Sequence, residues 1–334
     1  MTGAAKPTTY GGQAVIEGVM IRGKRTIGLA CRKPDGGIYR YRETLDSPLM
    51  RSRVARAPFV RGIFILWESL RYGMRMLMRS ADVQLAADQK PSGGASSAAM
   101  GLGLVAALAL FVGVPYLLTG LLRAAVPSTL ALNVAEGVLR LALLLGYLVA
   151  ISFLPDIRRV FAYHGAEHMT IHALEAGDPL VVDSVRKYPT AHPRCGTEFL
   201  VVVIALSIVA FSLVGRQEPV VMVGSRIALI PVIAAVGYEI LKWGAKHRGN
   251  ALVRAIMYPG ILVQMITTRQ PTNDMIEVAI VSMEQALQAD GETLPAGSGT
   301  LPRDLMNLPA PGGAGDPAAA AETVVTIDPP LPGA

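Results

Sequence analysis

Charge is scarce in this chain. Asp, Glu, Lys and Arg supply 17% of its 334 residues, where soluble domains usually carry about 25%. Mean hydropathy is +0.42 and 51% of residues are hydrophobic, which excludes an ordinary soluble domain. Cysteine is nearly missing as well. Only Cys31 and Cys195 occur, too few for a disulfide-built scaffold. Aromatic residues reach 6%, and no basic–aromatic platform for RNA is present. There is no G-K-[ST] loop and no G-x-G-x-x-G fingerprint, so Gly11, Gly12 and Gly18 read as turns and close packing rather than a phosphate cradle. The first residues hold no apolar core, which predicts no cleavable signal peptide. No internal repeat occurs.

What the chain does have is long apolar runs. Gly101–Leu122 carries no charge and is long enough to cross a bilayer core. Leu132–Leu154 is similar apart from Glu136 and Arg140. Phe199–Val214 and Ile227–Trp243 are shorter, and the last holds Pro231 and Glu239. The fold class predicted is mainly α: a polytopic helical membrane protein of about four spans with a small N-terminal β-hairpin unit. The net charge of +6 is unevenly placed. Basic residues crowd Arg51–Arg79, the 155–197 loop and Lys242–Arg254, while the two remaining loops hold few. The positive-inside rule then puts both termini and the 155–197 loop in the cytoplasm of a multi-pass cell-membrane protein. Both cysteines fall on that side, where disulfides are rare. The basic excess is met by this topology and anionic lipid, so the bilayer is the expected partner and nucleic acid is not.

Along the chain, residues 1–50 form a glycine-rich, cytoplasmic β-hairpin unit. Its strands Thr26–Arg32 and Ile38–Glu43 flank the turn Pro34-Asp35-Gly36-Gly37. Residues 51–86 hold an amphipathic helix, with Arg71, Arg75 and Arg79 on one face and Ile63, Leu66, Leu70, Met74 and Leu77 on another. That pattern suits a helix lying in the membrane interface. Residues 87–99 read as a linker, 100–288 as the membrane domain, and 289–334 as a disordered Ala/Pro/Gly tail. Ala251–Thr268 is another amphipathic stretch, and Met275–Leu287 a short soluble helix.

The strongest chemical signal is His164-Gly165-Ala166-Glu167-His168, an H-x-x-E-H pattern. In it, two helical histidines hold a metal and the glutamate between them acts on water as a base. A helix over Val160–Ala176, stopped by Gly177-Asp178-Pro179, puts His164, His168, His172 and Glu175 in an arc of roughly 80°. His172 lies about 12 Å along the axis from His164, too far to share its ion. His172 and Glu175 are therefore outer-sphere residues, ligands of a second metal, or surface groups. A third ligand comes from elsewhere: His192 or Cys195, in an H-x-x-C spacing, or Glu239 near the end of the last run.

Gly11–Gly23 resembles the opening motif of the YqhQ-like family of bacterial membrane proteins, a domain of unknown function commonly labelled a predicted metal-dependent enzyme. Tyr163–His168 with Thr170, Ile171 and His172 is similar to its central motif. So are Val185–Pro189, His192–Thr197, Tyr238-Glu239-Ile240 and Glu277–Ile280. Met169 stands where the central motif is expected to carry lysine. The resemblance spans about residues 10–288 and implies a metal-dependent activity. The expectation is a Zn2+ site, or one for another divalent ion, built from His164, His168 and Cys195, His192 or Glu239. Glu167 would be the general base in hydrolysis of a membrane-borne peptide or lipid-linked substrate. A scaffold or assembly factor that holds a protein partner around a structural metal is the rival. A metal or small-solute transporter ranks third, because the first and third runs are almost wholly apolar.

The topology is testable by cysteine accessibility. Cysteines introduced at Ser128 and Glu218 should label from outside the cell. Labelling of both only from the cytoplasm would overturn the assignment.

Overall fold

The computed structural model describes residues 10–45, 52, 54–55, 57–85, 93–121, 126, 128–193, 195–214, 218–247 and 249–299. The part of the linker before Gly93 that follows residue 85, and the tail beyond residue 299, lie outside the described residues.

Four antiparallel strands come first: β1 (Gly11–Val15), β2 (Gly18–Arg22), β3 (Thr26–Arg32) and β4 (Ile38–Thr44), in spatial order β1-β2-β3-β4. Side-chain alternation sends Val19, Ile21 and Ala30 to one face and Met20, Ile27 and Leu29 to the other. Both faces are covered, so β2 and β3 read as continuous apolar runs rather than alternating ones. The hairpin expected around Pro34–Gly37 is present. Gly36 sits at φ 86°, and Gly37 N–H donates to Asp35 Oδ1 at 2.9 Å.

A second hairpin joins β1 to β2 through Ile16 and Glu17, where no Asn-Gly or Asp-Gly pair announces a turn. Glu17 takes the left-handed region at φ 52°, a conformation costing about 1–3 kcal/mol for a non-glycine residue. Its carboxylate accepts two hydrogen bonds from Arg159 and lies 3.4 Å from the Tyr163 hydroxyl, so the tip is tied down from outside the sheet.

Helix α1 (Val60–Gln84) covers the Met20 face with Tyr72 and Met76. Two of its three regularly spaced arginines are held by the sheet. Arg75 pairs with Glu43, and Arg79 lies 3.7 Å over the Tyr41 ring. The outer side of α1 leaves Ile63, Leu66, Trp67 and Leu70 exposed. Helix α2 (Gly93–Leu108) then begins inside the segment read as linker, and a π-helical stretch, Ala109–Gly113, joins it to α3 (Val114–Leu121). Next come α4 (Thr129–Ile151), α5 (Pro155–Ala176), the short α6 (Val182–Val185), α7 (Thr197–Val214), α8 (Pro219–Lys246), α9 (Ala251–Thr267) and α10 (Asn273–Ala289).

Among the described residues, four helices are long and apolar enough to cross a membrane: Ala98–Leu121, Leu130–Ile151, Thr197–Val214 and Gly224–Lys246. Leu121 and Leu213 remain 77% and 82% exposed, a surface that lipid tails accept and water opposes. Glu136 of α4 pairs with Arg140 and with Arg226 of α8, and the Phe211 ring of α7 lies 5.0 Å from the Arg226 guanidinium. Pairing is what makes such charges tolerable within spans.

Helix α10, expected as a short soluble helix over Met275–Leu287, runs over Asn273–Ala289 and is the centre of the extramembrane core. Ile276, Val278, Ala279, Ile280 and Met283 are fully buried against the sheet and α5. Gly28 makes this approach feasible: a Cβ there would lie 2.6 Å from the Ser282 carbonyl oxygen.

Removing Glu136 strands two arginines that are mostly buried, a loss on the order of 3–5 kcal/mol. Glu136→Ala should therefore lower the melting temperature of the detergent-purified protein by several degrees. An unchanged melting curve would show that the ion cluster does not hold the spans together.

Candidate metal centre

The site is built on α5. Pro155 occupies its first turn, where a missing N–H costs nothing. Gly177, at φ 75°, closes it, with Gly177 N–H donating to Leu174 O at 3.1 Å and Asp178 N–H to Ala173 O at 3.0 Å. The stop is where the sequence put it, and the start lies upstream of Val160. Tyr163, Ala166 and Met169 pack into the core. This turns His164, His168 and His172 toward Thr190, Ala191, His192 and Cys195, which follow α6.

Backbone carbonyls orient the imidazoles. His164 Nδ1 donates to Thr267 O at 2.9 Å, and His168 Nδ1 donates to Thr190 O at 2.6 Å. A carbonyl only accepts, so both hydrogens sit on Nδ1 and both Nε2 atoms carry lone pairs. His164 Nε2 lies 3.3 Å from Cys195 Sγ. The ligand atoms of His164, His168 and Cys195 all fall within 4.8 Å of one another. The Thr197 hydroxyl donates to the same sulfur at 3.4 Å. Two imidazole nitrogens and a sulfur at these separations fit the tetrahedral preference of Zn2+.

Glu167 stands beside this group, with Oε2 3.5 Å from His168 Nε2 and the residue 3% exposed. Burial pushes its carboxyl above the usual carboxylate range, against the opposing pull of His164, His192 and the Gly12 N–H. Burial also pushes His168 down, which favours the neutral, ligating imidazole. Gly12 serves more than a turn here. A Cβ on it would meet Glu167 Cγ at 2.8 Å and Met20 O at 2.6 Å, so only glycine lets β1 reach the carboxyl. Gly165 plays the matching part behind His164. Its Cβ would lie 2.2 Å from Arg269 O, and its absence lets the chain after α9 lie against α5.

The other candidates separate. His192 joins His172 and Glu175, whose ligand atoms with it form a second group within 4.8 Å. Glu239 joins neither group. Its carboxylate is occupied by Arg61, through Nε at 2.7 Å and a second guanidinium nitrogen, and by Phe59 N–H at 3.1 Å. It ties α1 to α8, so its place at membrane depth is explained by an ion pair. The supporting carbonyls of Thr190 and Thr267 left no trace in the sequence, because any residue type supplies them.

A cavity of about 590 Å³ opens beside the group. Glu167, His168, His192 and Cys195 line one wall, and Arg22, Tyr72, Tyr238 and Lys242 line others. Its size suits a small ligand or a segment of a larger one.

Residues 57–289 match DUF1385, a family described as proteins of unknown function. An uncharacterised protein of Bacillus subtilis (strain 168), YqhQ, is 33% identical over 299 residues, spanning 85% of this chain and 94% of the relative. No solved structure matches the chain.

His247 provides an internal control. It is exposed, and its Nδ1 is engaged by Trp243 O at 2.9 Å. His164→Ala and His168→Ala should each lose bound metal, measured by elemental analysis of purified protein, while His247→Ala keeps it. Equal metal in all three would dismiss the site.

Proposed function

We propose that this chain, which belongs to the DUF1385 family of proteins of unknown function, is a membrane-bound, metal-dependent hydrolase. One observation carries the reading. Two Nε2 lone pairs and a cysteine sulfur converge next to a buried carboxyl, at the wall of a cavity. Arrangements that only brace a fold have no need of an unligated carboxyl facing open volume.

When bound, a divalent ion supplies Lewis acidity, polarising the scissile group and acidifying water. The protein does the rest. The Thr190 and Thr267 carbonyls hold the imidazoles in the ligating tautomer. The Gly12 N–H holds the Glu167 carboxylate in place. Glu167 takes a proton from the attacking water and returns it to the leaving group, a role suited to a carboxyl whose pKa burial raises. The substrate class is a membrane-borne peptide or a lipid-linked molecule, because Cys195 lies two residues before the span Thr197–Val214 begins. The site then faces the cytoplasm, on the side favoured by the lysine and arginine distribution.

Glu167→Gln tests the assignment. Gln keeps the size and hydrogen-bonding reach but takes no proton, so metal content should stay while complementation of a gene deletion falls by about 100- to 10,000-fold in activity. Loss of metal would make Glu167 a ligand. Full complementation with metal retained would replace the hydrolase by a scaffold whose ion only shapes the 188–196 segment.

A further inference from the structure

We propose that His172, Glu175 and His192 form a second metal site, chemically distinct from the His164–His168–Cys195 group. Four observations carry it. First, the ligand atoms of the three residues lie within 4.8 Å of one another, and His192 Nε2 is 3.4 Å from Glu175 Oε2. Second, His172 and Glu175 are spaced i, i+3 on α5, the helical spacing by which a histidine and a carboxylate reach one ion. Third, their orientation is imposed from outside. His172 Nε2 donates to Ala191 O at 3.0 Å, which fixes the direction of the ring. The His172 ring stacks on Tyr188, whose hydroxyl donates to Asp178 at 2.7 Å. The backbone of His192 is fixed by its main-chain N–H, which donates to Gln264 Oε1 at 2.9 Å. Fourth, the two histidine pairs segregate. Ring centroids are 4.4 Å apart for His164 and His168 and 4.4 Å for His172 and His192, against 5.7 Å between His168 and His192.

The donor sets differ in kind. The first group offers two nitrogens and a soft sulfur, which selects Zn2+. The second offers two imidazoles and one carboxylate on a partly exposed helix end, with the Glu175 side chain 29% exposed. Two histidines and a carboxylate leave coordination positions for water and suit Mn2+ and Fe2+ as well as Zn2+. The second ion should therefore exchange more readily than the first, and it sits along the same helix face, next to the cavity wall that His192 shares.

Cobalt titration of the full-length, metal-free protein in detergent separates the two. Wild type should bind two equivalents of Co2+, only one of which produces the near-ultraviolet thiolate-to-cobalt band. His172→Ala and Glu175→Gln should each bind one equivalent with the band undiminished, which also reports that the variant is folded. Cys195→Ala should lose the band and keep an equivalent that His172→Ala then removes. One equivalent in wild type would overturn the proposal, as would two equivalents persisting in both His172→Ala and Glu175→Gln. A band that never forms, alongside an equivalent lost in His172→Ala, would sink the first centre and leave the second standing.

Discussion

The organisation of this protein follows from burying a polar helix face. Helix α5 carries histidines at every fourth position on a surface that the fold closes over, and a buried imidazole without partners costs several kcal/mol. The chain meets that demand with main-chain carbonyls rather than side chains. Thr190, Ala191 and Thr267 each accept one imidazole N–H. Pro189 and Pro193 flank the segment that supplies the first two and restrict the backbone of the residue before each. Once one nitrogen of each ring is satisfied by a carbonyl, the other is a lone pair with a fixed direction. The geometry of the candidate metal group therefore follows from hydrogen-bond satisfaction.

That closure depends on the sheet and on α10. The tight β1–β2 turn puts Glu17 against Arg159, on the turn of α5 before the motif, and Gly12 against Glu167 within it. Helix α10 backs both α5 and β3 from the opposite side. The extramembrane unit thus assembles chain segments from both ends around a helix from the middle. Tyr10 and Asp290 make this explicit, joined by a buried hydrogen bond of 2.9 Å. Asp290 also accepts from Lys24 N–H and Arg25 N–H, so the β2–β3 turn and the end of α10 share one carboxylate.

The sequence was legible where a single local signal decides structure. Uninterrupted apolar runs located the spans, Gly177 with Pro179 located the end of α5, and Pro34–Gly37 located a hairpin. It was opaque where structure depends on contacts far along the chain. The first hairpin turns at Ile16-Glu17, a pair with no turn preference, and is held by Arg159 in another element. Helix α10 was legible as a short soluble helix, but its burial on several sides cannot be read from its amphipathic pattern alone. At the site, the histidine spacing exposed one helix face but not which loop residue each histidine would meet. The H-x-x-C spacing of His192 and Cys195 looked like a single clamp. His192 instead groups with His172 and Glu175, and Cys195 with His164 and His168, so two candidate ligands three residues apart meet α5 at different levels.

The position of the site follows from the same geometry. Cys195 immediately precedes α7, and Thr267 closes α9, which packs beside it at Gly260 against Glu198. A Cβ on Gly260 would approach Glu198 Cγ to 2.6 Å, so α9 can approach the first turn of α7 only because that position is glycine. Two of the groups that define the His164–His168–Cys195 cluster are therefore placed by helix ends at the membrane boundary, while α5 and the sheet place the rest from outside it. A shift of α7 and α9 together against α5 would move both Cys195 and the Thr267 carbonyl relative to His164. The His164–His168–Cys195 cluster therefore lies where the spans meet the extramembrane unit, and its geometry depends on how α7 and α9 pack against α5.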